Sequence, residues 1–120
     1  MKFNTIYLND RRYKIYDIGE GQSVMFIFHR ENSVTDIEEI VRLKLKEHQR
    51  VIIVDLSDDF PSNISEVNDE SCQNLIEDLH LLADVYWLDN VAVESNYINK
   101  PVHATLSSLL GNRCFALTTL

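Results

Sequence analysis

The stretches Val24-Met25-Phe26-Ile27-Phe28 and Val51-Ile52-Ile53-Val54 decide the fold. A strand with one face in water alternates apolar and polar side chains, whereas a strand covered on both faces does not. Neither stretch alternates, and the second is β-branched throughout, so both read as interior strands of a sheet. Between them Ile37, Ile40, Val41 and Leu45 recur at helical intervals through His48, and Ser33 stands three residues before Asp36, a capping-box spacing. Strand, helix and strand in this order predict a parallel pair joined by a right-handed crossover. Towards the start, Phe3 to Leu8 alternates, Asn9-Asp10 offers a turn, and Tyr13-Lys14-Ile15-Tyr16 alternates again, which predicts an antiparallel hairpin closed off by Gly19-Glu20-Gly21. Beyond the second buried strand, Pro61, Ser62, Asn63 and Ser65 mark a loop, and Leu75, Leu79, Leu82, Ala83 and Tyr86 line one face of a long helix. Asp89-Asn90 turns the chain into Val91-Ala92-Val93. A third helix is expected from Asn99 and Pro101 through Val102, Leu106, Leu109 and Leu110, ended by Gly111-Asn112, and Cys114 to Leu120 form a last apolar strand. The expected architecture is α/β, three-layered, with a mostly parallel sheet of about six strands behind an N-terminal hairpin, in a single domain over 1–120.

Composition narrows the function. A chain of 120 residues with 45% hydrophobic and 25% charged side chains supports one core. With 11 basic against 19 acidic residues the formal charge is −8, which repels a phosphate backbone or an anionic lipid surface. Neither nucleic acid nor membrane is expected as a partner. No apolar run approaches the roughly 20 residues of a membrane span, and the start carries no signal-like apolar segment, so a cytoplasmic location is expected. Cys72 and Cys114 have neither metal-ligand spacing nor disulfide density. In Gly19-Glu20-Gly21, Val24 occupies the third glycine position of a dinucleotide fingerprint, and no phosphate-binding loop motif occurs, so no cofactor is expected.

The opening hairpin, the strand ending in His29, the strand ending in Asp55, the helix with Glu77-Asp78-Leu79 and Leu81-Leu82, and the phrase Leu88-Asp89-Asn90-Val91-Ala92-Val93 follow one another in an order that resembles the first half of the α/β-hydrolase fold. The resemblance covers nearly the whole chain and implies a truncated hydrolase-like sheet. It places Val93-Glu94-Ser95-Asn96-Tyr97 at the family's G-x-S-x-G elbow, with Ser95 in the nucleophile's place. Val93 and Tyr97 stand where the strained elbow needs glycine, and His29-Arg30 stands where the family's oxyanion loop reads His-Gly. The family carries its acid and its base after later strands, beyond Leu120, and His103 falls on the third helix rather than in the base position. An unactivated serine is a weak nucleophile, so the expectation is a non-catalytic module.

The individual residues are read accordingly. Ser95 is a strand-end serine bonding local backbone, and the weak catalytic candidate. His29 and Arg30 form an oxyanion-like loop at a carboxyl strand end. Asp55, Asp58 and Asp59 lie at such an end too, but no metal site is assigned. From Asp55 to Asp84 the chain carries no Lys or Arg, and Asp58, Asp59, Glu66, Asp69 and Glu70 are expected to form an acidic, solvated face able to steer a basic partner. Tyr86-Trp87-Leu88 reads as core. The last strand would be an apolar edge, and Phe115, Leu117, Thr119 and Leu120 are the expected contacts with a second copy or another protein. No small-molecule ligand is assigned. Two alternatives are carried: an esterase or acyl hydrolase using Ser95 with its missing groups supplied in trans, and a receiver-like signalling domain with Asp55 as acceptor. The receiver reading conflicts with a strand over Tyr13 to Tyr16, where a receiver needs a helix, and with Lys100-Pro101 lying too close to Ser95.

Overall fold

A computed structural model describes residues 2–30, 36–61, 70–95 and the strand 114–119. In chain order its elements are β1 (Asn4–Leu8), β2 (Arg11–Ile18), β3 (Gln22–Phe28), α1 (Ile37–Lys46), β4 (Gln49–Asp55), α2 (Glu70–Val85), β5 (Val91–Ser95) and β6 (Cys114–Thr119). The strands form one six-stranded sheet in the order β1-β2-β4-β3-β5-β6. The β3, β4, β5 and β6 strands pair in parallel, and β2 joins β4 antiparallel, as β1 does β2. The α/β class, the central place of β3 and β4 and the edge position of β6 follow the sequence reading. The expected third helix lies outside the described residues. Because β2 is an antiparallel strand directly after β1, the receiver-like topology is excluded.

Alternation of side chains sorts the core into two layers. Val24, Phe26, Phe28, Val51 and Ile53 project to one face and pack with Val41 of α1. Met25, Ile27, Ile52 and Val54 project to the other and pack with Leu75, Leu79 and Leu82 of α2. The absence of alternation in the deciding stretches is thus explained, since both faces of β3 and β4 are covered by a helix. Each such fully buried side chain contributes about 1.5–3 kcal/mol.

Local chemistry sets the element ends. Asn9 and Asp10 both adopt left-handed φ values, 50° and 67°, and Leu8 pairs with Arg11, the geometry a two-residue hairpin turn requires. The α1 cap is Asp36, whose carboxylate accepts the Glu39 amide at 3.2 Å, rather than the expected Ser33, which is outside the described residues. The helix begins one turn later because the same three-residue spacing recurs at Asp36 and Glu39. At the other end of α2, the Leu88 amide reaches back to the Ala83 carbonyl at 2.8 Å and Trp87 takes φ 57°, a Schellman-type stop. This cap turns the Trp87 ring outward, where it is 89% exposed, while Leu88 is buried. The expectation that Tyr86-Trp87-Leu88 is core therefore holds for Leu88 and fails for Trp87. Among the described residues no helix is long and apolar enough to cross a membrane.

Candidate functional site

The carboxyl ends of β3, β4 and β5 meet the start of antiparallel β2, since Lys14 pairs with Asp55. This edge gathers His29, Arg30, Asp55, Ser57, Asp58, Asp59, Arg12 and Ser95. The turn after β4 is built by Asp55, whose Oδ1 accepts the Ser57 amide at 2.9 Å and the Ser57 hydroxyl proton. The Leu56 amide bonds the Phe28 carbonyl at 3.3 Å, and the Phe60 amide bonds the Leu56 carbonyl at 3.2 Å, so the turn folds back on the end of β3. His29 is buried there, with Nε2 at 3.1 Å from the Phe60 carbonyl oxygen. A carbonyl only accepts, so Nε2 carries the proton in this contact.

Arg30 donates its backbone amide to Ser57 Oγ at 2.9 Å. Its guanidinium lies 3.0 Å from Asp58 Oδ1 and 3.5 Å from Asp55 Oδ2. The other Asp58 oxygen is 3.4 Å from Arg12 Nε, and Asp59 accepts the Arg12 backbone amide. Asp58 therefore bridges two arginines, and the Asp55 and Asp58 carboxylates are neutralised within the edge. Of the residues expected to form an acidic face, Asp58 is only partly accessible and paired, Asp59 and Glu70 are exposed, and Glu66 and Asp69 lie outside the described residues. Arg12 was not singled out from the sequence; its position at the start of an antiparallel neighbour of β4 is the signal that brings it here.

Ser95 is the last residue of β5. It pairs with Ile27, falls on the same face as Val91 and Val93, towards α2, and is fully buried. Its Oγ donates to the Ile27 carbonyl at 2.9 Å. His29 and Arg30 stand at the same end of the sheet as Ser95, whose side chain is buried. Phe115, Leu117 and Thr119 lie in β6 at the end of the sheet, and Leu120 is outside the described residues. A hollow of about 150 Å³ lies elsewhere, lined by Ile40, Leu43, Lys44, Glu47 and Glu94 on the α1 face, with Lys44 and Glu94 3.4 Å apart.

Next to the edge, a second polar cluster fastens α2 to the hairpin. Asp78 is fully buried and accepts Arg11 Nε at 2.6 Å, Arg11 Nη2 at 2.7 Å, Asn9 Nδ2 at 2.9 Å and the Tyr13 hydroxyl. An acidic residue among Leu75, Leu79 and Leu82 on the apolar face of α2 is the sequence signal for it. Burial, and then the bond to Asp78, push the Tyr13 hydroxyl far above its ordinary value of 10.0. The hydrogen bond to Asp78 likewise raises the Arg11 guanidinium. The Tyr13 shift fixes the sign of an alkaline effect. The folded chain keeps a proton that the unfolded chain releases near pH 10, so this stabilisation is complete below pH 10 and is lost as pH rises above it. Between about pH 8 and about pH 11, the thermal midpoint of the wild-type chain should fall more steeply than that of Tyr13→Phe. Parallel curves would show that Tyr13 does not titrate with unfolding.

No family model matches the sequence, and no curated protein matches it. Solved structures do. An epoxide hydrolase from Vigna radiata superposes at TM-score 0.66 with 16% identity, over 97% of this chain and 38% of that one. Epoxide hydrolase A from Mycobacterium thermoresistibile gives 0.67 at 14%, over 97% and 37%, and a bromoperoxidase from Bacillus anthracis gives 0.64 at 21%, over 97% and 43%. The chain thus spans about two fifths of the length of these structures. At these identities the likeness is one of fold.

Proposed function

We propose that this chain, a partial α/β-hydrolase fold, is a non-catalytic association module that joins a second copy of itself, or another protein, through β6. The observation that carries the reading is the sheet order, in which β6 stands last with β5 as its neighbour. An edge strand offers a row of backbone donors and acceptors for pairing, and the sequence Cys114-Phe115-Ala116-Leu117-Thr118-Thr119 carries no charge to discourage it. The edge at the carboxyl ends supports the non-catalytic part. Ser95 Oγ is buried and donates to Ile27, and the neighbouring charges are spent on one another through Arg12, Arg30, Asp55 and Asp58.

Light scattering and sedimentation across a salt series test the association. The wild-type chain should dimerise in the micromolar range, and Leu117→Lys should weaken the dimer about a hundredfold. A strictly monomeric wild-type chain at high micromolar concentration would overturn the proposal, and dissociation by added salt would move the contact to the acidic surface. Turnover of a nitrophenyl ester and labelling by a fluorophosphonate probe should be the same for the wild-type chain and Ser95→Ala. Loss of turnover on that substitution would establish instead a hydrolase completed in trans, of the general kind its structural neighbours represent.

A further inference from the structure

We infer that the amino-terminal end of the sheet, at the α2–β5 turn, is a recognition site for an arginine-bearing cationic segment of another protein, with the Trp87 indole as its stacking platform. Trp87 is the sole tryptophan of the chain, is 89% exposed, and sits at a backbone φ of 57° where glycine is the favoured residue. The ring buries almost nothing, so the fold does not account for it, and Val85 beside it is 53% exposed. The surroundings choose the partner. Residues 70–90 contain no Lys or Arg, and Asp89, two positions after Trp87, has an exposed side chain.

The turn is held against the rest of the same end. Arg50 Nη1 donates to the Tyr86 carbonyl at 3.0 Å, and Gln22 donates its side-chain amide to the Asn90 carbonyl. Arg50 is itself committed to Asp17, at 2.7 Å, and the neighbouring loops add exposed Glu20 and Glu47 against Lys46. A guanidinium is attracted to the face of an indole and pairs with carboxylates in the same approach. A second copy of this chain, with its own charge of −8, would meet repulsion at this end, and so would nucleic acid. A purely apolar partner would have to desolvate Asp89 without pairing it.

The probe is a fluorescein-labelled peptide alternating arginine and glycine, followed by anisotropy and by the emission of Trp87, which reports this site alone. Both signals should saturate with one midpoint. Trp87→Gly, compatible with the backbone at 87 and checked for fold by circular dichroism, should weaken binding about tenfold, and Trp87→Asn should do the same. Asp89→Asn should weaken it about threefold, and raising salt from about 50 mM to about 300 mM should weaken it further. Unchanged affinity in both Trp87 variants, unchanged indole emission at saturating peptide, or affinity independent of salt would each overturn the inference.

Discussion

Asp78→Ala is expected to cost about 3–5 kcal/mol of stability, because it leaves a half-buried guanidinium, a buried tyrosine hydroxyl and an asparagine amide without their shared acceptor. For a domain stable by about 5–15 kcal/mol this is a large share of the total, and the urea midpoint should fall by roughly 2 M. Asp78→Asn keeps hydrogen-bonding atoms and removes the charge, so its loss should be intermediate. The double change Arg11→Met with Asp78→Leu should recover part of the loss, since an apolar pair no longer strands a charge. A loss below about 1 kcal/mol for Asp78→Ala would mean that the α2-hairpin cluster contributes little.

Gly21→Ala should be comparably damaging for a different reason. Gly21 has φ 116°, and a Cβ there would stand 2.2 Å from the His48 carbonyl oxygen, a backbone atom that can move only with its turn. A strained φ costs about 1–3 kcal/mol, and the clash adds the displacement of the α1–β4 turn, for an expected loss of about 3 kcal/mol in chemical denaturation. Glu20, between the two glycines and exposed, provides the contrast: Glu20→Ala should change stability by less than about 0.5 kcal/mol. Equal effects at the two positions would show that the close approach of residues 19–21 to His48 and Gln49 is not rigid. The same approach explains a pair of glycines that fits no nucleotide-binding pattern: Gly19 too would place a Cβ 2.6 Å from the Gln49 carbonyl oxygen.

What the sequence disclosed followed from the range of the interaction. Val24 to Phe28 and Val51 to Val54 announce themselves because burial on two faces leaves a continuous apolar run, and the hairpin because Asn9-Asp10 accepts left-handed backbone between alternating segments. Other features depend on partners far along the chain. Asp78 is an acidic residue on an apolar face until Asn9, Arg11 and Tyr13 arrive from a strand pair more than sixty positions earlier. Arg12 and Arg30 converge on Asp58 only because β2 runs antiparallel to β4. Ser95 resembles an elbow serine by local spacing, and its bond to the Ile27 carbonyl becomes visible only once β3 and β5 pair. Trp87 has the composition of a core residue, and the helix stop, a property of backbone dihedral angles, put it in water.

The placement of β3 and β4 side by side, each covered above and below and paired on both flanks, sets the rhythm of the molecule's breathing. Amide protons there can reach solvent only when the whole chain opens, whereas those of β1, at the margin of the sheet away from β6, escape by local fraying. Deuterium should therefore enter from the β1 margin inward, leaving Phe26 to Ile27 and Ile52 to Val54 as the last protected amides.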